Sequence, residues 1–235
     1  MVVVLSRVII AGVGFNWRRV LRGFYGVGFY PGDYAILVNS EPRESSAEEA
    51  MSILSSRLSE LGLSIRELWL DPARSFEENV AIIRSFIEDN APCTTIFLVG
   101  GGFRWLSTLL MITAMALKSI SSIISVNVEK IRIEIEEEVE SRAVSIPASY
   151  IEIPVVPKLV NISAQDYDVL RAIARRGRTR VRSIVDETSL SRTVIVRRLK
   201  KLLDLGLVKF EIRGKGYLYS LTPLGAMIAH RVIQS

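Results

Sequence analysis

The sequence predicts two domains: an α/β domain over residues 1–146, built on a doubly wound parallel sheet with an edge hairpin, and a small helical domain over 162–235. Strand and helix signals alternate through the first part, whereas the second part shows three helices followed by two strands. Formal charge divides in the same way, at −5 for residues 1–157 and +10 for 158–235. The proline-containing segment 147–161 is predicted to be a stiff linker.

The elements of the first domain follow one another regularly. Apolar strands are predicted at 7–13, 34–39, 64–70 and 94–99, and helices at 16–25, 45–61, 75–89 and 103–118. Strands that alternate with helices of this length are typical of a parallel sheet covered on both faces. Segment 130–138 alternates apolar and polar residues, so we expect one of its faces to be wet, with 142–146 as its hairpin partner at the sheet edge.

Composition limits the chemistry. The chain has one cysteine, Cys93, and one histidine, His230, which argues against a disulfide, a zinc site or histidine-based catalysis. We therefore expect no metal, no cofactor and no catalytic residue. The longest apolar stretch, 105–124, is interrupted by serine, threonine and lysine and indicates a buried helix rather than a membrane span. No signal peptide is recognised, so we expect a cytoplasmic protein without a membrane partner.

Two glycine turns mark a candidate ligand site. Gly12 and Gly14 follow the first strand, and Gly100 to Gly102 follow the fourth. In a sheet with strand order 3-2-1-4 these strands are neighbours at the switch point, where ligands of such folds bind. Each turn also opens a helix, whose free N–H groups attract anions. For one such turn alone, a tight connection without a ligand would be the favoured interpretation.

The expected ligand is an anionic nucleotide. Phe15 and Phe103 offer stacking surfaces, Asn16 a hydrogen bond to base or ribose, and Arg104 a grip on phosphate. NAD is disfavoured, because Trp17 stands where the dinucleotide fingerprint needs a third glycine. The candidate ligand-binding residues are Gly12, Gly14, Phe15, Asn16, Gly100, Gly101, Gly102, Phe103 and Arg104.

The second domain has the order of a winged helix-turn-helix. Helices are predicted at 163–177, 181–188 and 191–205, with a turn at 190–191, and a strand–turn–strand unit follows over 206–220. This order places the third helix in the major groove and the hairpin beside it. Together with the basic charge, it predicts double-stranded DNA as a partner.

The third helix has an apolar face and a basic face. Ile195, Leu199 and Leu202 are expected to point inward. The candidates for base reading are Arg192, Thr193, Val196, Arg197 and Lys200. The candidates for phosphate contact are Arg180, Arg182, Arg198 and Lys201. In the wing, Arg213 and Lys215 are candidates either to enter a minor groove or to hold phosphate. A solvated face is the alternative for any single charge.

The chain resembles the CRISPR-associated transcriptional regulators that join a CRISPR-associated Rossmann-fold (CARF) domain to a winged helix. The resemblance rests on Gly14-Phe15-Asn16, on Gly101-Gly102-Phe103-Arg104 and on the C-terminal module. The second motif commonly has methionine where Phe103 stands, and the first commonly continues with an acidic residue where Trp17 stands. The resemblance implies a homodimer whose crevices combine across a two-fold axis. It also implies a cyclic oligoadenylate ligand, most often the four-nucleotide ring.

Three functions remain open at this point. The leading hypothesis is a regulator, expected to act on CRISPR-Cas genes, whose DNA affinity responds to a bound nucleotide. The second is a ring nuclease that cleaves cyclic oligoadenylate with help from Arg104, although the sequence offers no evident general base. The third is a DNA-binding regulator that senses another small anion, or none.

Overall fold

The computed structural model describes residues 6–135, 150–214 and 216–229. The strands of the first domain are β1 (Ser6–Gly12), β2 (Tyr34–Ser40), β3 (Ser64–Leu70), β4 (Cys93–Val99), β5 (Val126–Glu134) and β6 (Tyr150–Ile153). Its helices are α1 (Trp17–Val27), α2 (Ser45–Glu60), α3 (Phe76–Glu88) and α4 (Arg104–Ile124). This order confirms the predicted alternation of strands and helices.

The sheet confirms the doubly wound topology. Among the described residues its strand order is β3-β2-β1-β4-β5-β6, and the first five strands run parallel. Successive side chains of a strand point to opposite faces. Val8 and Ile10 therefore pack with α3 and α4, and Ile9 and Ala11 with α1 and α2. Because β1 and β4 are neighbours, the turns that follow them meet at the same edge.

The edge of the sheet differs from the predicted hairpin. β5 begins at Val126 and pairs on both sides, parallel with β4 and antiparallel with β6. The pairing strand, Tyr150–Ile153, lies in the segment assigned to the linker from its prolines. The predicted partner 142–146 falls outside the described residues. Segment 120–128 ends α4 and begins β5.

Helix α4 is long and apolar enough, by length and composition, to cross a membrane. Its side chains instead form one layer of the core: Leu106, Leu110, Leu117 and Ile120 are fully buried against the sheet and α3. Burial within the fold therefore accounts for its apolar sequence.

The second domain is a winged helix-turn-helix. Its helices are α5 (Ala164–Arg176), α6 (Val181–Thr188), α7 (Arg192–Asp204) and α8 (Pro223–Ala229), and its strands are β7 (Arg178–Thr179), β8 (Val208–Arg213) and β9 (Gly216–Leu221). Ser163 and Asp166 form a capping box that starts α5, and the Ser191 hydroxyl accepts from the Val194 N–H at the start of α7. The three strands pair in the order β7-β9-β8.

The two domains share a continuous apolar core. Helix α8 packs on α3 and α4, and the fully buried Arg84 of α3 donates from Nη1 to the Met227 carbonyl oxygen while Nη2 pairs with Glu88 at 2.6 Å. After β6 the chain runs along α4: the Val160 N–H donates to the Ser119 hydroxyl at 3.2 Å. The winged helix is therefore attached to the α/β domain by side chains as well as by the connecting chain.

Candidate functional site

The two glycine turns meet backbone to backbone. A Cβ placed on Gly14 would lie 2.4 Å from the Gly102 nitrogen, and one on Gly101 would lie 2.5 Å from the Gly12 oxygen. Gly102 also has a φ of +82°, a conformation that residues with a side chain rarely adopt. Only glycine permits this approach, so the turns predicted to be neighbours are held in direct contact.

A crevice of about 500 Å³ opens beside this contact, at the carboxyl ends of the parallel strands. Its lining includes six of the nine candidates from the sequence: Gly14, Phe15, Asn16, Gly100, Gly102 and Phe103. Phe15 and Phe103 are 59% and 47% exposed, which leaves their ring faces accessible. The remaining lining residues are Arg19, Asn39, Ser40, Pro42, Glu44, Ala47, Val99, Ser107, Met111, Ile133 and Glu134.

Three candidates have other positions. Gly12 and Gly101 pack against each other beneath the crevice, so their glycine identity is explained by turn packing. Arg104 is the exposed first residue of α4 and is not part of the lining. The packing of Gly12 and Gly101 agrees with the alternative interpretation of these glycines as tight turns, whereas Gly14, Gly100 and Gly102 pack closely and also line the crevice.

The helix N-termini at the crevice favour anions. Phe103, the N-cap of α4, provides no side-chain hydrogen bond, and neither α4 nor α1 has an acidic residue in its first turn. The first N–H groups of α4 therefore lack a side-chain acceptor, and the helix dipole adds to their attraction for negative charge. Asn16 differs from the expectation in one respect: its side-chain oxygen caps α1 by accepting from the Arg19 N–H at 3.3 Å.

Two buried polar side chains in the lining were missed from the sequence. Asn39, at the end of β2, and Glu134, at the end of β5, are 2% and 6% exposed. The alternating pattern of β5 predicted a wet face for Arg132 and Glu134, and this was wrong. The two side chains are buried and form an ion pair, with Arg132 Nε 2.6 Å from Glu134 Oε1. They are buried because helix α1 passes directly over them. At the point of closest approach α1 has Gly26, where a Cβ would lie 2.5 Å from the Arg132 guanidinium.

The residues predicted to read bases lie on the exposed side of α7. Ile195, Leu199 and Leu202 are buried, as predicted. The five candidates for base reading are all exposed: Arg192, Thr193, Val196, Arg197 and Lys200. Arg180 and Arg182, at the start of α6, are exposed as well, as is Arg213 at the end of β8. Lys215 lies outside the described residues.

Arg198 and Lys201, which were predicted to contact phosphate, make intramolecular ion pairs in the structure. Arg198 Nη1 lies 3.3 Å and Lys201 Nζ 2.6 Å from the carboxylate of Asp166, which is fully buried on α5. Arg198 also donates to Gln165 Oε1 at 2.6 Å. Burial by itself would raise the pKa of Asp166, but hydrogen bonds from Lys201 and Ser163 outweigh it and hold that pKa below its usual range. These two cations therefore join α7 to α5.

Comparison with known families agrees with this architecture. Residues 7–147, more than half of the chain, match the model of the Csa3 CRISPR-associated Rossmann-like domain. The chain belongs to this family. Residues 160–215 match the MarR family, whose segment covers α5, α6, α7 and β8. The combination of a CRISPR-associated Rossmann-like domain with a winged helix is the one that the sequence resemblance implied.

Two solved structures resemble part of the chain. One is Bordetella bronchiseptica BpsR, described for regulation of DNA binding by 6-hydroxynicotinic acid, with 22% identity, a TM-score of 0.28 and coverage of 28% of this chain and 50% of that one. The other is the oxidized form of MarR from E. coli, with 26% identity, a TM-score of 0.28 and coverage of 29% and 50%. This chain thus spans half the length of each. A comparison with curated proteins gives no match.

Proposed function

We propose that this member of the family is a DNA-binding transcription regulator of CRISPR-Cas genes whose DNA affinity responds to a bound nucleotide. The proposal rests on the observation that two different surfaces, a crevice and a basic helix face, belong to domains that share one core. An anion-attracting crevice lies at the switch point of the first domain, and an exposed basic helix face lies on the second. The shared core between the domains supports communication between these surfaces.

The proposed ligand is cyclic tetra-adenylate. The uncapped start of α4 and the glycine turns suit the phosphates, because backbone N–H groups approach an anion closely there. The exposed rings of Phe15 and Phe103 suit stacking with adenine bases. We further propose a homodimer in which the ring spans the crevices of both protomers, with Gly14, Asn16, Gly100 and Gly102 among the ligand contacts.

The proposed DNA contacts are the exposed side chains of α7 and its surroundings. Within the described residues, Arg192, Arg197 and Lys200 have no acidic partner within 4.0 Å, so their charges are available to a nucleic acid. We assign base reading to Arg192, Thr193, Val196, Arg197 and Lys200. We assign phosphate contacts to Arg180, Arg182 and Arg213, and, from its place in the sequence, to Lys215.

Helix α4 offers the physical route for the response. Its first turns carry Phe103, Ser107 and Met111 of the crevice lining. One turn beyond Met111, the Met115 carbonyl accepts from the Leu159 N–H at 3.5 Å, and α8 packs on the same helix. A ligand that shifts α4 would therefore displace the segment leading into the winged helix, which is how a packed helix transmits a small movement.

The proposal is tested by two titrations of the full chain. In calorimetry, cyclic tetra-adenylate is expected to bind, whereas linear tetra-adenylate serves as the control for charge alone. In fluorescence anisotropy on a duplex selected by the protein from a random pool, the ring is expected to change DNA affinity about 5- to 150-fold, the range of typical allosteric coupling. Absence of heat at high micromolar ligand would refute the nucleotide-sensing part of the proposal.

Replacement of Arg197 by alanine tests the reading face. Because Arg197 is exposed and unpaired within the described residues, the change is expected to weaken binding to the selected duplex by about 1–3 kcal/mol while leaving the melting temperature unchanged. Arg57→Ala removes the same charge from the exposed surface of α2 and is the matched control. Equal isotherms for the two variants would show that Arg197 does not contact DNA.

A further inference from the structure

One end of the crevice presents a buried hydrogen-bond donor. Asn39 lines the crevice at the end of β2. Its side-chain oxygen already accepts from the Ser40 N–H at 2.8 Å, and its amide nitrogen Nδ2 has no hydrogen-bond partner among the described residues. A buried donor without a partner is costly, so a ligand that supplies an acceptor at this position gains more than it would at the surface.

The other end presents a buried acceptor. Glu134 lines the crevice at the end of β5, where a Cβ on Gly100 would lie 2.5 Å from its own Cβ. Its Oε1 is hydrogen-bonded to Arg132 Nε, but Oε2 accepts no hydrogen bond within the described part of the chain. Arg22 Nε lies 3.5 Å from Oε2, and the Arg22 side chain is half exposed. One carboxylate oxygen therefore remains for a ligand.

The two ends are well separated, and the glycine turns lie between them. The strand order β2-β1-β4-β5 places three interstrand steps between Asn39 and Glu134, or about 14 Å at the usual strand spacing. The anion-attracting backbone belongs to the two central strands. A carboxylate repels phosphate and accepts from N–H and O–H groups, so the end at β5 suits a neutral donor rather than a phosphate.

We propose that Glu134 and Asn39 determine which ligand this crevice accepts. Glu134 Oε2 accepts from a neutral donor of the ligand, either an exocyclic base amine or a ribose hydroxyl. Asn39 Nδ2 donates to an acceptor of the ligand, and the phosphates lie at the glycine turns between them. This inference rests on the nucleotide-sensing function proposed above and assigns its specificity. Sites built from buried polar groups reject analogues that leave those groups unpaired.

Ring analogues test the role of Glu134. Cyclic tetra-inosinate replaces the base amine by a carbonyl, and cyclic tetra-deoxyadenylate removes the ribose hydroxyl. The wild-type chain is expected to bind one of these rings roughly ten- to hundredfold more weakly than cyclic tetra-adenylate, which identifies the donor. Glu134→Gln is expected to lose that preference. Glu152→Gln is the matched control, because Glu152 pairs with the same Arg132 and is not in the lining.

Asn39→Asp tests the other end. The aspartate keeps the oxygen that accepts from the Ser40 N–H and replaces the free amide nitrogen by a second acceptor. Cyclic tetra-adenylate is expected to bind it roughly ten- to hundredfold more weakly. Asn127→Asp, which adds the same charge to an exposed residue at the opposite end of β5, is expected to bind normally.

The outcomes separate this inference from the function on which it rests. If the wild-type chain binds none of the three rings, both are overturned. If it binds all three equally, or if Glu134→Gln keeps the wild-type preference, the specificity assignment is wrong and nucleotide sensing stands. Comparison of the three rings on the wild-type chain remains decisive should Glu134→Gln fail to fold.

Discussion

Asp166→Ala is expected to destabilise the winged helix by about 2–4 kcal/mol, the combined effect of losing an N-terminal cap and charge-assisted hydrogen bonds. The Asp166 carboxylate is fully buried and receives Lys201 at 2.6 Å, Arg198 at 3.3 Å and the Ser163 N–H at 2.9 Å. Lys201 is 41% exposed, so it can return to water when its partner is removed. This limits the loss to less than that of a fully buried ion pair.

The same carboxylate gives the stability a defined pH dependence. Because the pKa of Asp166 is lowered in the folded chain, its contribution is present above the ordinary aspartate pKa of about 4. The contribution is lost as the pH falls through the lowered value, since the unfolded chain then binds the proton more readily. The Asp166→Ala variant lacks this part of the acid-induced loss of stability.

Urea unfolding of the full chain at neutral and acidic pH measures both effects. Asp168→Ala is the matched control, because Asp168 is an exposed residue of the same helix. A free energy of unfolding for Asp166→Ala within 0.5 kcal/mol of the Asp168→Ala value, about the range of ordinary surface substitutions, would contradict the assigned role.

Much of the first domain could be predicted because its signals are local. Apolar runs such as those of β1 and β4 follow from burial on both faces of a parallel sheet. The glycines after these strands then mark the turns, and the topology brings the turns together. Gly14 and Gly102 were therefore recognisable from the sequence as neighbours in one candidate site.

The polar ends of the crevice could not be predicted in this way. The alternation in β5 gave the right element but the wrong environment for Arg132 and Glu134, since their burial depends on α1 crossing above them. Gly23 and Gly26, three residues apart in that helix, were the available sign of a close approach. Asn39 had no comparable signal, because its burial and its unpaired amide nitrogen arise only in the folded sheet.

The pattern of basic residues in the winged helix predicted that α7 has a basic face, but it did not predict which of these side chains are exposed. Arg197 and Arg198 are adjacent, yet the first is exposed and the second is bonded to Asp166 and Gln165. The difference depends on the position of α5, which the spacing along α7 does not encode. Only the tertiary contacts therefore distinguish the exposed basic side chains of this helix from those that form ion pairs within the chain.

Gly14→Ala is expected to open the contact between the two glycine turns and to abolish nucleotide binding by the chain. The added Cβ would lie 2.4 Å from the Gly102 nitrogen and 3.2 Å from its Cα. Both neighbours are backbone atoms, so no side chain can move aside and one of the turns must shift. Overpacking of this kind costs about 1–3 kcal/mol, and the displaced turn carries Phe15 and Asn16 of the crevice lining.

Gly23→Ala provides the matched control, because it adds the same methyl group to α1, where the nearest atoms, Leu98 Cδ1 and Glu134 Oε1, lie at 3.4 and 3.5 Å. Alanine is also the better helix former by about 1 kcal/mol, so this variant is expected to be at least as stable as the wild type. Thermal unfolding and calorimetry with cyclic tetra-adenylate compare the two. Wild-type affinity in Gly14→Ala would place the ligand away from the turns, whereas lost binding in Gly14→Ala alone supports a ligand held by the backbone of Gly14 and Gly102.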